Sequence, residues 1–252
     1  MKKYRNLIIA LLTVLSFYNL YGEEKIHVAV PDGSPLAFRD ETGTYRGFYV
    51  EILNEICKKE KITPLYYHGT LKACLNELDK GKIEYIMALP KEYTAKYNII
   101  KEEVVNDWGV IYSYDKKSIS SIFELSNKSV GVMSNDYYSE KVIEDLKKYR
   151  IPLKYNNFDS SDDLYTAAEN KKIDFIISDR TRILENEKFA KLTRVGTELN
   201  PEDAVFLTGT AKSKGNLDVN KKRLVLLKTD TASSYNKGML RLSSLEGKMS
   251  KG

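Results

Sequence analysis

Apolar side chains recur at two periods along this chain, and the switches between them outline its elements. Lys25 to Pro31 alternates and is rich in valine and isoleucine, which predicts a strand. From Gly47 to about Lys59, Phe48, Ile52, Leu53 and Ile56 fall on one side of a helix. Ile62 to Tyr67 predicts a second strand, ending at His68 and Gly69. Leu71, Cys74, Leu75 and Leu78 fall three or four apart and draw another helical stripe. Gly81 follows where a C-cap favours positive φ. Ile83 to Leu89 is a short apolar run, the pattern of a strand covered on both faces. The loop Pro90 to Thr94 leaves its carboxyl end, where ligands dock in open α/β sheets. A β-α-β-α-β order of this kind predicts parallel strands.

The order then recurs. Val104 to Tyr114 is extended and leads into the polar stretch Asp115 to Ser121. Ser129 to Met133 predicts a strand, and Ser134, Asn135 and Asp136 can cap a helix from about Tyr137 to Tyr149. A strand follows within Ile151 to Phe158, a helix over Ser160 to Asn170, and a buried strand over Ile173 to Ser178, closed by Asp179. The segments LDKGKIEYIMAL and AENKKIDFIISD each end a helix, turn on lysine and enter a strand. This is a likeness of architecture and not a repeat of fixed period. Phe189 to Val195 and Ala204 to Thr210 predict two further extended segments. Leu224 to Leu227 with Tyr235 and Met239 predict one or two closing helices, and the polar end is expected to fray.

Composition narrows the class. With 252 residues, 42% hydrophobic and 30% charged, the chain can fill one large domain or two small ones. A basic head (Lys2, Lys3, Arg5), an apolar run from Leu7 to Leu15 and small or polar residues up to Gly22 describe a secretory signal peptide over 1–22. A retained N-terminal anchor is the alternative, although the run is short for a membrane span. The net charge of +5 falls to +2 from Glu23 onward, which argues against nucleic acid as a partner. Cys57 and Cys74 lie on the first two predicted helices. Export permits a disulfide between them, and two buried thiols fit equally. Two cysteines and two histidines give no zinc, Ser-His-acid or Cys-His constellation. There is no phosphate-cradling glycine loop, so no cofactor and no metal are expected.

These elements carry a resemblance. Ser34-Pro35-Leu36-Ala37-Phe38 with Gly43 and Gly47, the helix residues Tyr49 to Ile56, Gly81-Lys82-Ile83-Glu84 with Met87, Val130-Gly131-Val132, and Lys172-Ile173-Asp174-Phe175 with Asp179 resemble, in order and spacing, the family-3 extracellular solute-binding proteins. The likeness spans about Lys25 to Tyr235. Lys214-Gly215-Asn216 and Lys228 to Tyr235 look most like the modules that serve as bacterial sensor domains. The resemblance implies an α/β, two-lobed "Venus flytrap" of the type-2 periplasmic binding proteins. Each lobe is a mostly parallel sheet flanked by helices. It places lobe 1 at 23–110 plus 207–240, lobe 2 at 111–206 and a frayed tail at 241–252. Two crossing segments, near Ile111 to Asp115 and Ala204 to Ala211, would form a hinge that closes on a ligand. It further implies a monomer, periplasmic or secreted, that hands a small solute to an ABC-type permease or a signalling receptor.

In amino-acid binders of this family, an arginine in the loop after the third strand grips the ligand carboxylate. That position falls at Tyr93 here, and Lys91 nearby lacks the guanidinium fork. The family's glycine and threonine or serine at the head of the lobe-2 helix are replaced by Asn135 and Asp136. A helix start favours an anion, but Asp136 supplies a negative charge itself and favours an amine or hydroxyl. It also reads as an ordinary N-cap. Asp179 falls where relatives pair with a ligand ammonium, a position that favours the ligand role over a helix cap or a salt bridge to Arg180 or Arg182. The expected ligand-binding set is Leu36, Phe38, His68, Ala88, Leu89, Tyr93, Asn135, Asp136 and Asp179, around an amino-acid-like or amine-bearing solute. Two alternatives share the fold. One is an enzyme resembling cyclohexadienyl dehydratases, with Glu92, His68 and Asp179 as its acids. The other is a degenerate flytrap kept as an interaction module without ligand.

Overall fold

The computed structural model describes residues 24–32, 35–90, 98–99, 102–208 and 214–249. The leader expected over 1–22 lies outside them, as does Tyr93. The first half opens with β1 (Glu24–Pro31), then a short hairpin of β2 (Phe38–Arg39) and β3 (Tyr45–Arg46). There follow α1 (Phe48–Glu60), β4 (Ile62–Gly69), α2 (Leu71–Asp79), β5 (Tyr85–Pro90) and β6 (Asn98–Ile99). β7 (Val105–Ser113) leads into the second half: β8 (Ser129–Met133), α3 (Tyr137–Lys148), β9 (Lys154–Phe158), α4 (Ser161–Glu169) and β10 (Phe175–Asp179). A four-residue helix α5 (Arg182–Glu185), a 3-10 turn (Glu187–Lys191) and β11 (Thr193–Thr208) come next. Two helices close the chain, α6 (Lys214–Thr229) and α7 (Ser234–Met249).

The strands join in the order β4-β1-β5-β11-β7-β10-β8-β9, with β6 beside β11. At one end β1 pairs in parallel with β4 and β5. At the other, β8 pairs in parallel with β9 and β10. Between them run β7 and β11, antiparallel to each other and to their outer neighbours β10 and β5. The two parallel clusters are the two halves that the apolar pattern outlines. The middle differs from the sequence expectation of two separate extended segments at 189–195 and 204–210. Phe189 lies in the 3-10 turn, and a single strand covers 193–208. Register shifts between Val195 and Leu199 and between Leu199 and Glu202 absorb Gly196 and Pro201, residues that would otherwise break a ladder.

Helix α1 buries Phe48, Tyr49, Ile52, Leu53 and Ile56, one more aromatic than its periodic stripe required. Its entry depends on Gly47, whose φ is +109° and whose missing Cβ would lie 2.6 Å from the Leu36 carbonyl oxygen. Only glycine accepts both conditions. The two cysteines are free and buried. Cys57 packs with Val28 and Val30, whereas Cys74 packs with Ala29 and Ile86. Successive residues of a strand face opposite sides. The thiols therefore sit on opposite faces of the sheet, which settles the open disulfide question against a bond.

The end of the chain is not the frayed tail expected over 241–252. Helix α7 runs to Met249, and Leu242, Leu245 and Met249 are buried on one stripe. The polar residues between them lie on the other face, so average polarity concealed an amphipathic helix. Helix α7 packs on α1 from the first half and on α5 and the 3-10 turn from the second. Among the described residues no helix is long and apolar enough to cross a membrane.

Candidate functional site

Two pairs of parallel strands, one pair in each half, point their carboxyl ends at one place. β1 ends at Pro31 and Asp32, β4 at His68 and Gly69, β8 at Met133 and Ser134, and β9 at Phe158 and Asp159. A cavity of about 330 Å3 lies where they converge, and its wall includes Asp32, His68, Ser134, Asn135 and Asp159. Phe38 and Arg39 from the β2–β3 hairpin and Glu185 from α5 complete it. Open α/β sheets offer ligand sites at these strand ends, and ligand pockets run from roughly 300 to 1,000 Å3.

His68 is held on both sides. Its Nδ1 donates to the Val30 carbonyl at 3.1 Å, and its Nε2 lies 3.0 Å from Asp32 Oδ1. Both ring nitrogens face oxygens, which fixes the plane of the imidazole at the cavity wall. Asn135 sits at φ +60°, a left-handed position that asparagine tolerates. It thereby turns the chain from β8 into α3. Asp136 then caps α3 by accepting from the Ser139 backbone N–H at 3.0 Å.

Behind the cavity lies a buried ionic network. Arg182 is fully buried. Its Nη2 lies 3.1 Å from Asp179 Oδ2 and 3.5 Å from Asp136 Oδ1, its Nη1 pairs with Glu185, and its Nε donates to Ser178 Oγ. Glu185 in turn lines the cavity. The hydroxyls beside these acids count protons. Thr181 Oγ1 lies 2.7 Å from Asp179 Oδ1 and 3.1 Å from Asp107 Oδ2. One hydroxyl proton cannot serve two ionised acceptors. Burial and the neighbouring Asp179 push the Asp107 carboxyl well above the usual range, against the opposing pull of Arg180. Ser139 Oγ faces both Asp136 and, at 2.7 Å, the Ile177 carbonyl. Burial and Asp179 push the Asp136 carboxyl up to about 7, against the opposing pull of Arg182.

A second guanidinium ties the halves to α7. Arg180 Nη1 lies 3.2 Å from Glu246 Oε1, its Nη2 donates to the Asn106 carbonyl at 3.0 Å, and its Cζ lies over the Trp108 ring, 4.0 Å from the centroid. Arg241 on the same helix pairs with Glu187 at 2.9 Å.

Of the residues expected from the sequence, Phe38, His68 and Asn135 meet at the cavity. Leu36 is core, with 3% exposure. Asp136 and Asp179 are buried on Arg182, and Asp179 takes the salt-bridge role that competed with ligand contact. Ala88 and Leu89 lie in β5, two and one residues before its end, and their side chains lie outside what is described. Sequence reasoning missed Asp32, Asp159 and Glu185. The first two follow predicted strands directly, which was the available signal. Glu185 stands three residues after Arg182, the spacing of a helical ion pair.

Residues 26–98 match the model of the bacterial extracellular solute-binding proteins, family 3. An ancestral amino-acid-binding protein described as a precursor of cyclohexadienyl dehydratase superposes with a TM-score of 0.68 at 18% identity, covering 86% of this chain and 95% of the other. The chain has the fold of a family-3 solute-binding protein. An ancestral arginine-binding protein bound to arginine shares that solute-binding fold at TM-score 0.67 and 20% identity, over 86% of this chain and 97% of its own. So does the substrate-binding protein of an amino acid ABC transporter, at 0.65 and 19%, over 86% and 98%. No curated protein matches the chain by sequence.

Proposed function

We propose that this protein is a non-catalytic solute-binding protein that closes its two halves on a small, polar, amine-bearing solute outside the cytoplasm. The observation that carries the reading is the cavity at the carboxyl ends of β1, β4, β8 and β9, where strands from both halves converge. The match of residues 26–98 to the family-3 solute-binding model supports it. Phe38 offers a face for packing, while His68, Ser134 and Asn135 offer hydrogen bonds. Glu185 presents its carboxylate from a wall held by Arg182, and Asp136 and Asp179 position that arginine. Closure would bend β7 and β11, the strands between the halves, and the closed form would be delivered to a membrane permease or receptor. A thermal-shift panel of amino acids, amines, sugars and peptides tests this. A solute at 100 times its Kd stabilises by about 2.7 kcal/mol. The expected hit carries an amine and loses affinity in Asn135→Ala. No stabilisation across the panel would end the reading.

A further inference from the structure

The cavity at the strand ends has a neighbour. A second cavity, of about 460 Å3, lies on the other side of the β2–β3 hairpin. Tyr45, Phe48, Glu51 and Asn54 wall it from the first half, Leu184 from α5, and Gly238 and Arg241 from α7. Phe38 and Glu185 line both cavities. The two spaces therefore meet across one aromatic ring and one carboxylate, which together form a partition between compartments.

Charge is distributed in a matching way. In the second compartment Asp40 is paired with Arg46, and Arg241 with Glu187. Glu51 is left with no side-chain partner among the described residues. In the first, Asp32 is paired with His68. Asp159 is left in the same condition as Glu51. Each compartment thus presents one carboxylate lacking an internal counter-ion, and Glu185 stands between them. Arg39 also lines the first compartment, its Nε donating to the Gly43 carbonyl, but Asp32, Asp159 and Glu185 outnumber it, and a cleft with net negative lining draws a cation.

Building on the solute-binding reading above, we propose that the site takes a linear diamine that spans both compartments. One ammonium is met by Asp159 and the other by Glu51, and the methylene chain crosses the partition along the Phe38 ring. A solute with a single charged head fills only the first compartment and leaves Glu51 unmet.

Isothermal titration calorimetry at low ionic strength tests this, because exposed charges are screened within roughly 10 Å at 0.1 M salt. The probes are cadaverine, n-pentylamine and lysine, titrated into the full exported chain and into Glu51→Gln. Glu51 is exposed, so its amide should leave folding unchanged, which circular dichroism verifies. The expected result is that cadaverine binds about tenfold or more tightly than n-pentylamine, a gap of one head-group interaction. In Glu51→Gln that ratio falls towards one. A ratio near one in the parent protein, or a ratio unchanged by the substitution, overturns the two-compartment site. If n-pentylamine, with its single ammonium, or lysine, which is cadaverine bearing a carboxylate, binds tightly in that case, the solute-binding reading survives alone. If no probe of the wider panel binds, both fail.

Discussion

Replacing Arg182 by methionine should unfold more of this protein than any other single substitution behind the cavity. The guanidinium is fully buried and holds Asp136, Asp179 and Glu185 together. Methionine replaces the aliphatic stem as far as the position of Nε, but it leaves these carboxyls facing one another without a cation. Removing one partner of a buried ion pair costs about 3–5 kcal/mol. Three acids share this one, so the upper figure is expected at pH 8. Since domains are stable by only about 5–15 kcal/mol, that is a third or more of the total. With urea slopes of about 1–3 kcal/mol/M, the midpoint should fall by about 2 M, read by far-UV circular dichroism. The loss should shrink at pH 5, where the stranded acids take up protons instead of repelling one another. Adding Asp179→Asn should return part of it at pH 8. A midpoint within about 0.3 M of the parent at pH 8 would refute the argument. It would mean that the acids are already neutral and the arginine is not compensating them.

Three further outcomes follow from the geometry. Asp136 is held near 7 when folded and near 3.8 otherwise, so the folded chain keeps a proton that the unfolded chain releases. Stability should therefore be greatest below about pH 4 with respect to this group and fall as pH rises to about 7, by at most ~4 kcal/mol. Asp136→Asn should flatten the slope by about one proton, and an unchanged slope in urea melts from pH 4 to 7 would contradict the assignment. Gly47→Ala should cost ~3 kcal/mol, since it combines a positive φ with a clash on the Leu36 carbonyl, and a midpoint like that of the parent would disprove the strain. Burial pushes both thiols up to about 12, so neither Cys57 nor Cys74 should react with a disulfide reagent at pH 8 until urea unfolds the chain.

Much of the fold was written in apolar spacing. The stripe of Leu71, Cys74, Leu75 and Leu78 and the run from Ile83 to Leu89 became α2 and β5 nearly as read, because local period and tertiary burial agree there. The same rule pointed to His68 and Asn135, which stand at strand ends. It failed at α7, where Leu242, Leu245 and Met249 are diluted by serine, glycine and lysine. It failed again at β11, where two bulges let one strand pass a glycine and a proline. Asp179 shows a different limit. Its position suggested a ligand partner, but whether a carboxylate at a strand end faces solvent or an arginine three residues on depends on how a four-residue helix turns. Spacing alone does not fix that direction.

The chain has eighteen tyrosines and one tryptophan, and that tryptophan sits beneath the guanidinium that fastens the last helix. Excited at the red edge, where phenols are dark, Trp108 emits alone. A cation parked over its ring perturbs that emission, and Glu246 keeps the cation parked. The protein thus carries its own optical gauge. Any event that lifts α7 from its seat, whether solute capture, partner docking or truncation, shifts the colour of one indole without a dye.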